Sequence, residues 1–391
     1  RLETLMAIFV SNRYLPRRIL LLTGCFARAA AERHSISRLW KQSSGLMARS
    51  VTQNAGDHGE HYITRDKKEY WAMFYSAAGG GVLIALMALF KTYLGSIIDD
   101  KVWKGIAEGL NYGLGFMVIF MLHFTVATKQ PAMTAARFAE AVEKTPQGKT
   151  VNMKLAQLLV DVFRSQSIAV LGNVLIAMGL AALIAFGYQY KTGEPLMNAD
   201  QIAYQLHSID PFAGTLWFAA IAGVWLFCSG IISGYFDNRS NYLNMRMRLT
   251  QHPLLKKLMS EKSRVKFANY MHENYGSLIG NLCFGMLLGI TGVVGYLTHL
   301  PLDIRHVAFS SANVGYIAVS GQFTYSLLLQ CISFVLLIGL VNLIVSFSLT
   351  LWVALRSLNA EIDSWWPIWH EVCQIVKKRP LSLFLPIQLD K

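Results

Sequence analysis

Apolar residues are gathered into six long runs along the chain, at 72–90, 110–127, 168–188, 212–235, 278–297 and 324–355. Each run is close to the 20 or so residues that an α-helix needs to cross the ~30 Å hydrocarbon core of a bilayer. The runs are too long and continuous for barrel strands, which alternate apolar and polar residues over about ten positions. The pattern therefore predicts an all-α membrane protein with about six transmembrane helices.

Positive charge is concentrated in alternate gaps between these runs. Of the 36 Lys and Arg residues, 31 lie before the first run, in the second and fourth gaps, or after the last run. Since cytoplasmic loops carry an excess of Lys and Arg, both termini are predicted to be cytoplasmic.

The same pattern predicts three regions. Residues 1–70 form a cytoplasmic helical region, which we expect to be the end of a longer N-terminal domain because the chain begins at Arg1. Residues 71–356 form the transmembrane domain, with basic cytoplasmic loops at 129–167 and 237–274 that we expect to lie as helices against the inner membrane surface. Residues 357–391 form a cytoplasmic tail.

Composition agrees with a membrane protein: 53% of residues are hydrophobic, 15% are charged, and the mean hydropathy is +0.37. These fractions are more apolar and less charged than those of a soluble domain. The net charge of +13 follows from the topology and from contact with anionic headgroups. Membrane lipids are therefore the expected partners, and nucleic acid is not.

The predicted outer loop before the last run contains Asp303, Arg305 and His306, followed by the weakly apolar stretch 307–320. If 307–320 crossed the membrane, the basic tail would fall on the outer side, against the charge rule. The stretch is therefore predicted to be re-entrant or surface-lying, and a re-entrant segment needs protein or a water-filled cavity around its backbone.

Small and polar residues recur at helical spacing inside several runs. The fifth run has Asn281, Gly285 and Gly289 on one face, the sixth has Asn342 and Ser346, and the second has Asn111 between glycines. Such faces allow close helix packing with interhelical hydrogen bonds. A polar internal path is the alternative, and the sequence leaves both open.

The inner end of the second run contains Lys129, Gln130, Pro131 and Thr134. Proline removes a backbone donor and disfavours helix at the preceding residue, so the span is predicted to break there. The broken end could bind a phosphate or headgroup, or Lys129 could simply extend to the membrane interface. Glu60 and His61 are weak candidates for a metal site, because they lack the HExxH arrangement and no further ligand is near them in the sequence. No metal site and no cofactor are therefore expected.

Six stretches carry a resemblance to a known family: 59–63 (GEHYI), 77–81 (AAGGG), 127–135 (ATKQPAMTA), 280–289 (GNLCFGMLLG), 300–307 (LPLDIRHV) and 339–347 (GLVNLIVSF). Together they resemble a bacterial family of polytopic membrane proteins described as site-specific recombinases. The resemblance implies a multi-pass protein of the bacterial inner membrane. Residues 308–313 (AFSSAN) depart from the family's pattern.

The family's name implies DNA strand exchange, which needs a Ser or Tyr nucleophile beside clustered Arg and His on a domain that can wrap duplex DNA. Arg305 and His306 are predicted on the outer side of the membrane, away from DNA, so we do not expect this activity.

Three other functions stay open. The first is a transport or lipid- or anion-handling protein, with Lys129, Gln130 and Thr134 at an inner mouth and Asp303, Arg305 and His306 at an outer one. In this hypothesis Asp303 and Arg305 form a gate pair. The alternative is a non-catalytic membrane scaffold or assembly subunit, with a membrane-protein partner or as a homo-oligomer. An enzyme acting on lipid headgroups is the third, but no recognisable catalytic set supports it.

Overall fold

A computed structural model describes residues 23–24, 63–64, 66–126, 130–143, 149–320, 323–358, 362 and 364–386. Two compact units divide the chain, Arg1–Met47 and Ala48–Lys391, and the helices described below belong to the second. Glu60, His61 and Lys129 lie outside the described residues, as does nearly all of the predicted region 1–70.

The regular structure in the described ranges is entirely helical. In chain order the α-helices are α1 (Lys67–Ile97), α2 (Lys101–Met121), α3 (Gln130–Glu143), α4 (Lys149–Thr192), α5 (Ala199–Ile209), α6 (Thr215–Tyr242), α7 (Met245–Gln251), α8 (Pro253–Leu258), α9 (Glu261–Thr298), α10 (Val307–Ala318), α11 (Tyr325–Leu358) and α12 (Trp366–Lys378). Short 3₁₀ turns follow α5 and α12, at Pro211–Ala213 and Pro380–Leu383.

Within the described ranges, five helices are long and apolar enough to cross a membrane: α1, α4, α6, α9 and α11. The second predicted run does not supply a sixth. Helix α2 is 21 residues long and ends at Met121, so residues 122–126 of the predicted run lie outside it. The first two turns of α2 carry Lys101, Lys104 and Glu108, which lower its hydropathy.

The end of α2 is fixed by contacts with α1. The Ser76 hydroxyl donates to the His123 carbonyl at 3.1 Å, and the backbone N–H of Thr125 donates to the Ser76 carbonyl at 3.2 Å. A Cβ at Gly79 would overlap the Phe124 ring, so this glycine lets the non-helical segment lie against α1. The predicted break at Gln130 is therefore wrong: Pro131 lies in the first turn of α3, where proline is tolerated.

The two basic loops are also organised differently from the prediction. Helix α4 is continuous over 44 residues, about 66 Å at 1.5 Å per residue. Residues 149–167 of the predicted loop 129–167 are therefore the first part of this long helix. Likewise α9 begins at Glu261, well before the predicted fifth run. In the loop 237–274 only α7 and α8 are separate short helices.

Glycines allow α2 and α9 to pack with their backbones in contact. A Cβ on Gly285 would overlap the backbone of Gly113, and one on Gly289 would overlap the backbone of Gly109. On another face of α9, a Cβ on Gly280 would overlap the Ser233 hydroxyl of α6. Helix α9 is thus held between α2 and α6 by small residues, as in membrane helix pairs.

Helix α10 is buried at the centre of the bundle. Ten of its twelve residues are buried, and it packs against α4, α11, α1 and α5. The Tyr316 hydroxyl donates to the Ala85 carbonyl of α1 at 2.8 Å, and a Cβ on Gly315 would overlap the Met178 carbonyl of α4. The surface-lying alternative for 307–320 is therefore wrong, and surrounding helices shelter its backbone.

Two ends of the bundle differ in character. At the "pocket end", α1 turns into α2 through residues 98–100, α4 leads into α5, and α9 leads into α10 through residues 299–306. At the "basic end", α3, α11 and α12 share an apolar cluster that includes Phe138, Leu351 and Ile368. The basic helices α7 and α8 also lie at that end. Because α9 ends and α11 begins at the pocket end, the segment between them enters and leaves the bundle on one side.

Candidate functional site

A polar cavity of about 300 Å³ lies at the pocket end. This volume is at the lower limit for small-molecule sites. Its walls are the last turns of α1, the first turns of α2, one face of α5, and the segment from residue 303 into α10. The charged side chains that line it are Lys91, Lys104, Glu108, Asp303 and Arg305.

Arg305 ties this segment to two neighbouring helices. Its Nη1 donates to Asp303 Oδ2 at 2.6 Å, and its Nε donates to the Ser208 carbonyl at the end of α5 at 2.8 Å. Its backbone N–H donates to the Phe218 carbonyl of α6 at 3.2 Å, and its guanidinium lies 5.3 Å from the Phe218 ring centroid. Arg305 therefore holds the cavity wall together as well as facing the cavity.

Asn342 of α11 holds the same segment, at Arg305 and Val307, from the interior of the bundle. Its Nδ2 donates to the carbonyls of Ala219 at 2.7 Å and Arg305 at 3.0 Å. Its Oδ1 accepts from the backbone N–H of Val307, the first residue of α10, at 3.2 Å. One fully buried amide thus joins α11, α6 and the start of α10.

The opposite wall of the cavity was not predicted from the sequence, because residues 91–109 lie between the first two apolar runs, where hydropathy predicts a loop. Lys91 lies in α1 and Glu108 in α2, and their charged groups are 3.4 Å apart. Lys104 lies one turn before Glu108, on the same side of α2. The Asp100 carboxylate accepts from the N–H groups of Val102 and Trp103, both at 2.9 Å, and this N-cap was the sequence signal that α2 begins there.

His306 closes the cavity toward the interior. It is 1% exposed, and its ring centroid lies 6.2 Å from that of Phe116, 5.8 Å from Phe284 and 5.8 Å from Phe309. Burial among these rings lowers the pKa of His306 to about 4, because the charged imidazolium loses its hydration. The ring is therefore neutral at physiological pH.

The two predicted mouths differ in how much of each the structure describes. Asp303, Arg305 and His306 all line the cavity. Thr134 is fully buried in α3 at the basic end, and the side chains of Lys129 and Gln130 lie outside the described ones. The cavity-lining residues do not include Thr134, so the structure does not bring the two predicted sets together.

The predicted intramembrane polar residues form no continuous line. The Asn111 amide donates to the Met87 carbonyl of α1 at 2.9 Å, and the Asn281 amide donates to the Ser277 carbonyl of its own helix at 2.8 Å. Ser346 is fully buried on α11, one turn after Asn342. Asn111 and Asn342 thus bond to other elements of the bundle, whereas the Asn281 amide bonds within its own helix.

Most of the charged side chains that line the cavity are paired with one another. Each of its two carboxylates already pairs with a cation, and within the described ranges no group of three or more His, Cys, Asp and Glu residues is placed to hold a metal. Neutral side chains that donate and accept hydrogen bonds complete the lining: Gln201, Tyr204, Gln205, Ser310 and Asn313.

A family model described as "Site-specific recombinase" matches residues 1–386, which confirms the resemblance drawn from the sequence motifs. Neither a curated protein nor a solved structure matches the chain. Because the match covers nearly the whole chain, the protein belongs to the site-specific recombinase family.

Proposed function

We propose that the protein is a multi-pass protein of the bacterial inner membrane that binds an anionic small molecule or lipid headgroup in the cavity at the pocket end, as part of transport or lipid handling. The observation that carries the proposal is the convergence of three cations, Lys91, Lys104 and Arg305, on one cavity of about 300 Å³, where the described lining residues include two carboxylates. Such a site attracts anions.

The surface of the bundle supports a membrane location. Large aromatic side chains are exposed toward both ends, as expected at the two interfaces of a bilayer. Those of the pocket end include Tyr93, Trp103, Tyr190, Phe212 and Tyr325, and those of the basic end include Trp71, Tyr75, Tyr242, Trp366 and Trp369. Apolar side chains between them are also exposed, among them Leu86, Leu114, Leu183 and Ile344.

The distribution of basic residues supports one orientation of the bundle in the membrane. The basic end carries α7, α8 and the start of α9, with exposed Arg246, Arg248, Lys256 and Lys257. By the positive-inside rule this end is cytoplasmic, so the cavity faces the outer side of the membrane. The ligand would then arrive from the periplasm or from the outer leaflet.

The cavity is closed toward the basic end in this conformation. His306, Phe116, Phe284 and Phe309 fill the space beneath it, and α10 occupies the centre of the bundle. A transport cycle would therefore require movement of the segment 299–318, which enters from the pocket end and is held there by Arg305 and Asn342. The Asp303–Arg305 pair would be the gate in such a cycle.

The name of the family does not supply an activity for this site. Strand exchange would require a nucleophile that duplex DNA can reach, beside Arg and His. The Arg305 guanidinium and His306 lie in a cavity too small for duplex DNA, whose major groove alone is about 12 Å wide. Tyr70, which lies near Arg164 at the basic end, is buried. Tyr242 is exposed at the same end beside basic helices, but tyrosine and arginine are expected together at a membrane interface without any activity on DNA. We therefore propose no DNA chemistry.

A membrane scaffold is the second candidate. The small-residue faces of α2, α6 and α9 are used inside the chain, so a partner would have to dock elsewhere, and the exposed α7 and α8 at the basic end are the available elements. A homo-oligomer or a membrane-protein partner stays a prediction of this alternative.

The test compares two lysines of α2. Lys104 lines the cavity, whereas Lys101, one turn earlier, is exposed and lies over the Tyr296 ring with Nζ 4.2 Å from the centroid. The full-length protein is extracted into native-lipid particles as wild type, Lys104→Gln and Lys101→Gln, and copurifying molecules are identified by mass spectrometry.

We expect wild type and Lys101→Gln to retain the same anionic molecule and Lys104→Gln to lose it. If all three retain the same small molecules and a stoichiometric protein partner copurifies instead, the scaffold replaces the anion-binding proposal.

A further inference from the structure

We infer that the ligand of this cavity is a phosphodiester carrying a single negative charge, rather than a doubly charged phosphate monoester. The inference rests on the proposed function, because it assumes that an anion binds here, and it adds the chemical class of that anion. It comes from the charges and donors that line the cavity.

Four of the five charged side chains already neutralise each other. Lys91 pairs with Glu108 at 3.4 Å, and Arg305 pairs with Asp303 at 2.6 Å. Within the described part of the chain, no carboxylate lies within ion-pair distance of Lys104. The neutral ring of His306 adds no charge. The cavity therefore has one uncompensated positive charge, on Lys104.

A ligand with one negative charge would neutralise the remaining positive charge of the cavity. An ion in a partly buried site is stabilised by an opposite charge and destabilised by an excess of like charge, since the effective dielectric constant there is well below that of water. A phosphodiester carries one negative charge. A phosphate monoester carries about 1.5 to 2 at neutral pH, and its second charge would face Glu108 and Asp303 without a partner.

The neutral donors suit a tetrahedral phosphate better than a planar carboxylate. Gln201, Tyr204 and Gln205 belong to α5, while Ser310 and Asn313 belong to α10. With Lys104 on α2, donors come from three separate helices around the cavity. A carboxylate presents two oxygens in one plane, whereas a phosphodiester presents oxygens in several directions. The volume, equal to that of about ten waters, also leaves room for substituents on the phosphate.

A phosphodiester can come from two sources. One is the headgroup of a glycerophospholipid, which would enter from the membrane at the pocket end. The other is a water-soluble diester of the periplasm. Both present the same singly charged group to Lys104, so the experiment includes one probe from each source.

The experiment measures binding to the purified full chain in detergent at pH 8 by calorimetric titration. The soluble probes are glycerophosphoglycerol, a diester, glycerol 3-phosphate, a monoester, and glycerate, a carboxylate. The lipid probes are short-chain phosphatidylglycerol, a diester, and short-chain phosphatidic acid, a monoester. We expect a diester to bind about tenfold more tightly than the corresponding monoester, and more tightly than glycerate. Binding of the lipid diester alone would identify the membrane as the source.

Two variants test the charge balance. Lys104→Gln should weaken diester binding about tenfold, with Lys101→Gln as the unchanged control. Glu108→Gln raises the cavity to two uncompensated charges, so it should reverse the preference and favour the monoester. A merely structural role of Glu108 would weaken both probes alike. Thermal unfolding of each variant checks that it is folded.

Failure of the charge inference can be told from failure of the proposed function. If anions bind in a manner that depends on Lys104 but the monoester binds as tightly as the diester, the charge argument is wrong. If glycerate binds as tightly as the diester, the argument for a tetrahedral phosphate is wrong. In either case the phosphodiester inference fails and the proposed function stands. If no probe binds, or if Lys104→Gln binds like wild type, the proposed function itself is wrong.

Discussion

Replacement of Asn342 by leucine tests how the segment 299–318 is held in the bundle. Leucine has nearly the shape of asparagine, so Asn342→Leu removes hydrogen bonds without opening a cavity. Three backbone groups lose a hydrogen bond to Asn342: the carbonyls of Ala219 and Arg305, and the N–H of Val307. All three contacts link Asn342 to other elements of the bundle, so the loss falls on tertiary structure.

The size of the loss follows from the number of bonds. Interhelical hydrogen bonds in membrane proteins contribute about 0.6 kcal/mol on average and up to about 1.7 kcal/mol each, so three bonds correspond to roughly 2–5 kcal/mol. Two other asparagines provide a graded series. Asn111→Leu removes one bond between α2 and α1, for a loss of about 1 kcal/mol, while Asn281→Leu removes only a bond within α9.

The assay is the free energy of unfolding in lipid bilayers, measured by steric trapping, for wild type and the three variants. The expected order of destabilisation is Asn342→Leu, then Asn111→Leu, then Asn281→Leu. A second readout is proteolysis of the segment 299–318, which should become faster only in Asn342→Leu. If Asn342→Leu and Asn281→Leu were equally stable, this account of how α10 is anchored would be refuted.

Two further predictions concern packing and pH. Gly289→Leu should prevent stable assembly of α2 on α9, because even a Cβ at this position overlaps Gly109. Gly292→Leu should be tolerated, since the nearest atom to its Cβ is Asp303 Oδ1 at 3.7 Å. The yield of monodisperse protein after detergent extraction distinguishes the two variants, and equal yields would contradict the packing. For His306 the pKa of about 4 in the folded state lies below the unfolded value of 6.5, so the unfolded state binds more protons between these pH values. The free energy of unfolding therefore falls as the pH falls from 6.5 to 4, by up to about 3 kcal/mol. His306→Phe should remove that part of the decline in melting temperature between pH 7 and pH 4.5, and an identical decline in both proteins would contradict the burial of a neutral ring.

Local patterns predicted the features of this fold that depend on a single helix. The spacing of Gly285 and Gly289 identified the face of α9 that contacts another helix, because residues three and four apart lie on one side of any helix. The apolar runs located the five helices that can span a membrane, since hydropathy is summed over consecutive residues.

Features that depend on contacts between distant residues were missed or misplaced. Helix α2 ends at Met121 because the residues after it bond to Ser76 and pack against Gly79 of α1. No local signal in the sequence of α2 reveals these contacts. The Lys91–Glu108 pair was missed because a charged residue near the end of an apolar run is assigned to the loop by hydropathy alone. If Asp100 had been recognised as an N-cap, both helices would have been predicted to reach the short turn around residue 100. Lys91 and Glu108 would then have been placed opposite each other.

The position of α10 has a consequence for how the protein is made. At twelve residues, about 18 Å, α10 is too short to cross a bilayer, so it cannot be inserted as an independent span. Three of the helices that surround it, α1, α4 and α5, are synthesised before it. Helix α11 is synthesised afterwards and supplies Gly339 and Asn342 against Val307. The wall of the segment on the side of α11 is therefore missing until α11 has been synthesised, so we expect α10 to reach its buried position late in folding.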